Sequence, residues 1–271
     1  SNKNVIAEIG SERNRDNIKL SEMPNNLKNA YIAIEDQRFY KHHGVDIKRT
    51  GAAILSYVIR RGSSSFGGST ITQQLVKNLT GDDSNTISRK VKEWFYACVL
   101  DCCFSKDDIL EAYLNIIYTG PNIYGVKEAA LYYFNRDIKD LSLAECAFLA
   151  GINNSPNSYN PFSDTDKSEK ISKRTKTVLS KMKELGYISE NEYNEAVSQV
   201  DNGLKFSKGN LQNNSSLYSY HTDGLINEII SDFSNRKHIS QDFATNYFYL
   251  SGSSIYSTQN SDIQKVVENE C

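Results

Sequence analysis

The 271 residues contain no long apolar run: the longest uninterrupted stretch, Trp94 to Leu100, covers seven residues. A membrane-spanning helix needs about 20. Positive charge is not in excess either. Lys+Arg 31 against Asp+Glu 33 leaves −2, which argues against nucleic acid as a partner, because such binders carry a strong basic balance. A disulfide framework is missing too. The five cysteines, Cys98, Cys102, Cys103, Cys146 and Cys271, are odd in number and clustered, and no His or further Cys stands at metal-ligand spacing from them. No segment repeats at a fixed period, and the first residues carry no signal-peptide pattern. What is present is a globular composition, 39% hydrophobic and 24% charged, enough for one large domain or two modest ones.

Helical signals dominate residues 25–202. Leu27, Ala30, Tyr31 and Ile34 fall at i, i+3, i+4 and i+7, which predicts a helix over 25–35 with Asn25 as its cap. Thr70-x-x-Gln73, Ser105-x-x-Asp108, Ser142-x-x-Glu145 and Ser189-x-x-Glu192 each have capping-box spacing. Gly120 is expected to stop the third of these helical runs, over 106–117, and Gly186 a basic helix over 167–185. Ile87, Val91, Trp94, Cys98 and Cys102 trace an apolar stripe, so the cysteines are expected to be small buried hydrophobes. Val5–Ile9 reads as a short strand. From Leu204 the periodic pattern gives way to Asn, Ser and Gly. A boundary is placed between 202 and 216, and the tail 203–271 is expected to be a mixed α/β linker with a helix near 225–233 and short strands at 247–250 and 254–258.

Three clusters carry candidate chemistry. Glu35-Asp36 closes a helix beside Phe39 and His42, and a carboxylate against aromatic surface is a candidate acid or base. Gly67-Gly68-Ser69-Thr70 opens a helix whose first N–H groups favour an anion; a plain glycine-rich turn with a cap fits equally well. Lys77 lies about 10 Å up that helix. The Gly-Lys-Ser/Thr of a nucleotide-binding loop is not there. Arg89, Lys90 and Glu93 sit at i, i+3 and i+4 spacing, either as an exposed ion pair or as a set that holds a diphosphate.

Taken together, these residues resemble the peptidoglycan glycosyltransferases (glycosyltransferase family 51). Glu35-Asp-Gln-Arg-Phe-Tyr-Lys-His-His-Gly44 resembles the first family motif. Gly67-Gly-Ser-Thr-Ile-Thr-Gln-Gln-Leu-Val-Lys-Asn78 resembles the second, Arg89-Lys-Val-Lys-Glu93 the third and Lys106-Asp-Asp-Ile-Leu-Glu-Ala-Tyr-Leu-Asn115 the fourth. Arg174-Thr-Lys-Thr-Val-Leu179 is a looser match to the fifth. The family often has Arg where Gln37 stands and a second basic residue where Thr175 stands. The stretch 252–265 is similar to the segment preceding the transpeptidase domain of class A penicillin-binding proteins, but Lys-Thr-Gly of a transpeptidase is nowhere in the chain.

The resemblance implies a mainly α, lysozyme-like glycosyltransferase domain over 25–202, with 1–24 following a membrane anchor expected upstream of this chain. It implies polymerisation of lipid II into β-1,4 glycan by inverting displacement of a polyprenyl diphosphate. Glu35 would be the base. Lys77, Arg89 and Lys90 would hold the anion, with Glu93 orienting them or a bound Mg²⁺; no organic cofactor is implied. Gly68, Ser69, Thr70, Gln73, Gln74 and Asn78 would shape the donor site, and Asp36, Phe39 and His42 would support Glu35. Lys106, Tyr113 and Asn115 would hold the fold around the cleft. The expected partners are lipid II, the polyprenyl-diphosphate glycan, other cell-wall synthesis proteins and the outer face of the bacterial cell membrane, where Gly51–Ile59 is a candidate to dip into the interface. The competing readings are a lysozyme-like hydrolase, which also pairs carboxylates, and a non-catalytic scaffold with the same fold.

Overall fold

The computed structural model describes residues 17–51, 68–81, 86–121, 123–209 and 220–237, and single positions 84, 241, 244, 245, 248 and 255. The candidate strand Val5–Ile9 and all but Gly51 of the candidate membrane segment Gly51–Ile59 lie outside the described residues. Two compact units divide the chain, one over 13–213 and one formed by 1–12 with 214–271.

The first unit is helical, as the capping and periodicity predict. Its helices are α1 (Asn25–Glu35), α2 (Ile71–Thr80), α3 (Ile87–Cys103), α4 (Lys106–Ile116), α5 (Val126–Phe134), α6 (Leu143–Ile152), α7 (Ser168–Glu184) and α8 (Glu190–Asp201). All four expected capping boxes form, at the starts of α2, α4, α6 and α8. Each ties two otherwise orphaned N–H groups within four residues of sequence, which is why they are legible locally. Pro24 rather than Asn25 stands at the cap of α1, and no side chain bonds there. Asn25 is the first helical residue, because the fixed φ of Pro24 already sets the chain's entry.

The core is built around α6. Ala144 to Ile152 are all buried, Glu145 among them with Arg136 as its partner, so this largely apolar helix is enclosed on every side. It packs against α1 and α7, while α2 packs against α3 and α4. Tyr31 of α1 is fully buried and its hydroxyl donates to the Leu149 carbonyl of α6 at 3.1 Å. Phe148 of α6 meets Tyr133 and Phe134 of α5, and Phe206 stacks on Phe134. Residues 207 and 209 bond back to the carbonyls of Tyr133 and Tyr132.

Several expectations are corrected. Gly120 does not end α4, which stops at Ile116. It lies in β1 (Tyr118–Gly120), which pairs antiparallel with β2 (Ile123–Tyr124). A side chain there would meet the Tyr133 hydroxyl at 2.7 Å, so the glycine serves a close approach. The apolar stripe of α3 is not core: Ile87 is 85% exposed and Val91 55%, Trp94 is half-buried, and only Glu93 and Ala97 of this helix are buried. Among the described cysteines, Cys98, Cys102 and Cys103 are exposed and Cys146 is buried. Periodicity reports that a face is apolar; it does not report what covers it.

In the second unit, α9 (Tyr220–Lys237) is longer than the expected helix near 225–233. Ile226 and Ile230 form a small core with Ala244, and Phe248 packs on it. Phe248 is helical, against the strand expected at 247–250, and Ile255 is the single described position of the other expected strand, with no regular structure.

Burial pushes the Cys146 thiol up to about 12, with the nearby Glu145 charge adding to the shift. It is therefore a protonated, unreactive thiol at pH 8. With Cys271 replaced by Ser, an Ellman titration at that pH is expected to report Cys98, Cys102 and Cys103 in the folded protein and Cys146 only after denaturation. Labelling of Cys146 at the rate of the other three would contradict this packing.

Candidate active site

The site is assembled on the first turn of α2. Thr70 caps it, accepting from the Gln73 N–H while the Gln73 amide oxygen accepts from the Thr70 N–H. The Thr70 hydroxyl donates to the Gly44 carbonyl at 2.5 Å. Gly44 has φ +78, and a side chain there would lie 2.2 Å from the Ala97 carbonyl oxygen. No other residue fits this contact between the loop and α3. The anion at the start of α2 is supplied by the protein itself. Asp36, fully buried, accepts from the Ile71 N–H at 3.0 Å and from His42 Nε2 at 2.8 Å. The glycine-rich turn is thus a helix start neutralised by an internal carboxylate, rather than a vacant cradle. Phe39, buried, lies edge-on to His42 with the Lys106 ammonium 4.8 Å from its ring. Phe39 and His42 are thereby linked to Asp36, the neighbour of Glu35 in the chain.

Consecutive glutamines on this turn then reach the two glutamates. Gln73 Nε2 donates to Glu93 Oε1 at 3.2 Å, and Gln74 Nε2 donates to Glu35 Oε2 at 2.9 Å. Glu93 is 4% exposed and also accepts from Arg89 at 2.7 Å and from Lys90, which are 16% and 34% exposed. Lys90 bonds to Ser69 Oγ at 2.8 Å as well. The Arg89/Lys90/Glu93 set is therefore not a solvated surface pair but a half-buried cluster beside the glycine-rich turn. Gly68 is half-buried just before the turn, and Lys77 and Asn78 are exposed further along α2. Lys77 lies four and three residues beyond Gln73 and Gln74, on the face that carries both.

Glu35, the last residue of α1, is half-buried. Its second oxygen accepts from Asn153 Nδ2 at 3.2 Å. The Asn153 amide also donates to the Tyr113 hydroxyl at 2.8 Å, and that hydroxyl donates to Gln74 Oε1 at 3.1 Å. Tyr113, expected only to hold the fold, is part of the Glu35 surroundings. Burial, reinforced by the Glu35 charge, pushes its hydroxyl well above the ordinary tyrosine value, so it remains a donor. Asn115 holds the incoming chain instead, exchanging bonds with both backbone groups of Ile18. Arg49 donates to the Glu35 carbonyl. Asp46 would be raised by burial, but the Arg49 N–H and the Arg38 guanidinium overcome that and hold its carboxyl low. Asn153 and Arg49 were not found in the sequence. Asn153 follows a helix as an ordinary turn residue, and Arg49 lies in a basic pair, so neither has a local signature.

The residues do not fit a protein-held Mg²⁺ at Glu93. Its oxygens already accept from Arg89, Lys90 and Gln73, and among the described residues no three His, Cys, Asp or Glu gather as a metal site.

A family model described as Transglycosylase matches residues 2–183. Penicillin-binding protein 1A of Clostridium botulinum is 42% identical over 253 residues, covering 91% of this chain and 31% of that protein. Penicillin-binding protein 1A/1B of Bacillus subtilis is 41% identical over 227 residues, covering 83% of this chain and 24% of its own length. A crystal structure of penicillin-binding protein 1A from Haemophilus influenzae overlays with a TM-score of 0.43 at 24% identity, covering 84% of this chain and 23% of the other. The chain thus spans about a third or less of the length of these relatives.

Glu93→Gln removes the charge that two cations share. Its loss is expected to destabilise the fold by about 1–3 kcal/mol, below the range for a fully buried pair because Lys90 is partly solvated. Urea unfolding checks this; a midpoint equal to wild type would contradict the cluster.

Proposed function

The chain belongs to the transglycosylase family, and on that premise we propose that it is a peptidoglycan glycosyltransferase that lengthens glycan strands with lipid II. The donor is a glycan joined through an α-linked polyprenyl diphosphate, and the acceptor is the 4-hydroxyl of the N-acetylglucosamine of lipid II. Glu35 takes the hydroxyl proton as the oxygen attacks the sugar's anomeric carbon. The new β-1,4 bond forms on one face while the bond to the diphosphate breaks on the other, and the electron pair leaves with the phosphate oxygen. One inversion completes the step.

The observation that carries this reading is the pair of glutamines. One turn of α2 holds a partly exposed carboxylate on Gln74 and a cationic cluster on Gln73. A base and an anion-binding group are thereby kept at a fixed separation, as proton removal and leaving-group stabilisation require. A hydrolase would need its second carboxyl facing the sugar as acid or nucleophile. Glu93 is instead buried, with its oxygens bound to Arg89, Lys90 and Gln73. That favours transfer from a diphosphate over hydrolysis, and a scaffold would not need the arrangement at all.

The lipid tail needs an apolar surface. Among the described residues no helix is long and apolar enough to cross a membrane. Ile87, Val91, Phe95 and Val99 form an exposed apolar face on α3, and Phe95 lies about 200° around the helix from Glu93. We assign this face to the outer leaflet that carries the substrate.

Incubation with lipid II is expected to give glycan polymer with the wild-type chain, and Glu35→Gln is expected to lower the rate by about 10²–10⁴. Full polymer synthesis by Glu35→Gln, or shortening of preformed glycan by the wild type, would overturn the reading. Phe95→Asp/Val99→Asp is expected to float with liposomes several-fold less than wild type. Equal flotation would remove the membrane assignment while leaving the chemistry standing.

A further inference from the structure

We propose that Asn153 is a positioning residue for Glu35, whose side-chain amide holds the carboxylate in the orientation from which it accepts the proton. This rests on the reading of Glu35 as the base. The two carboxylate oxygens are held from two different helices: Gln74 of α2 donates to Oε2 at 2.9 Å, and Asn153 at the end of α6 donates to Oε1 at 3.2 Å. The terminal torsion of a glutamate is broad and roughly two-fold, so one bond leaves the group free to swing. A second bond from the other side fixes its plane.

The polarity of the ring is set by the carboxylate. An ionised carboxylate only accepts, so Gln74 must turn its NH₂ toward Glu35 and its oxygen toward Tyr113. The Tyr113 hydroxyl has one proton and gives it to Gln74 at 3.1 Å. It is left to accept at 2.8 Å from residue 153, which must therefore present N–H groups to both Tyr113 and Glu35. An amide NH₂ has two donors and meets both demands; a carboxylate or an aliphatic group meets neither.

Asn153 is also well anchored. It caps α6 with φ −53 and ψ −37, on a helix buried along its length. Arg174 Nε of α7 donates to the Gly151 carbonyl at 2.8 Å, and the absent side chain of Gly151 leaves room for the Arg174 stem, 3.2 Å from where a Cβ would lie. The fifth motif, which touches neither glutamate in the bonds described, thus acts at a distance by fixing the end of α6. Because α1 packs on α6, the reach from Asn153 to Glu35 is set by the core.

The test compares wild type, Asn153→Leu and the isosteric Asn153→Asp, each checked for folding by thermal melting. In lipid II polymerisation both variants are expected to lose about 10- to 100-fold in kcat with KM changed less than about twofold, since a misaligned base alters the reacting geometry and not substrate binding. Crystal structures of wild type and Asn153→Asp are expected to differ in the Glu35 carboxylate, which leaves its place beside Gln74 and residue 153. Unchanged kcat in Asn153→Asp, or an unmoved Glu35 carboxylate, would overturn the proposal. A residue that only fills space would keep its kcat in Asn153→Leu, which removes both N–H donors without placing a second negative charge beside Glu35. Failure of the wild-type chain to polymerise lipid II would instead sink the catalytic reading, and the crystallographic comparison would still decide whether Asn153 orients Glu35.

Discussion

A buried carboxylate governs the geometry of the site. Asp36 accepts the first N–H of α2 and the imidazole of His42, so it supplies the negative charge that the positive end of that helix attracts. With the start of α2 pinned and its cap closed by Thr70 and Gln73, the directions of Gln73 and Gln74 are no longer free. Each then selects one glutamate. The separation of the proposed base and the cations is in this way a property of one helical turn, which is more rigid than any pair of loops would be.

The charges follow the same logic. Arg89 and Lys90 bring two positive charges against the one negative charge of Glu93. A half-buried pair of like cations is costly without a counter-ion, and Glu93 is the counter-ion that lets them stand side by side. Two cations against one carboxylate leave the cluster one positive charge in excess. A diphosphate leaving group is the kind of charge that such a surplus stabilises, and a neutral sugar alcohol is not. Glu93 is thus better understood through the cations it holds in place than as a second proton carrier.

What the sequence made legible was local. The four capping boxes depend on partners three residues apart, and all four form. The motif residues around Glu35, Gln73, Gln74 and Glu93 were recognisable because their order along the chain resembles a family, not because spacing alone revealed a cleft. Contacts of long range were silent. Asn153 lies 118 residues from Glu35, and nothing in Ile152-Asn153-Asn154 distinguishes it from an ordinary helix end. Tyr113 reads as a core aromatic, since its ring is core and only its hydroxyl reaches the site. The α3 stripe was misplaced for the opposite reason: its period is clear, but an apolar face suits a lipid surface as well as a protein interior.

The adjacent pair Glu35-Asp36 shows how neighbouring carboxylates acquire different duties. Glu35 is the last helical residue of α1, while Asp36 has φ −154 and ψ 76, so the backbone turns between them and the two side chains diverge. Asp36 enters the interior and meets backbone N–H and imidazole. Glu35 keeps the helix direction, stays partly in solvent and meets only side-chain amides. A proton acceptor has to be reachable by substrate and free to exchange its proton afterwards; a residue tied to a helix start can do neither without loosening the fold. Extending α1 by one residue would rotate Asp36 by about 100° around the helix axis, taking its carboxylate from Ile71 and releasing the turn on which both glutamines depend. The end of α1 at residue 35 is therefore as much a part of the proposed active site as the glutamate itself.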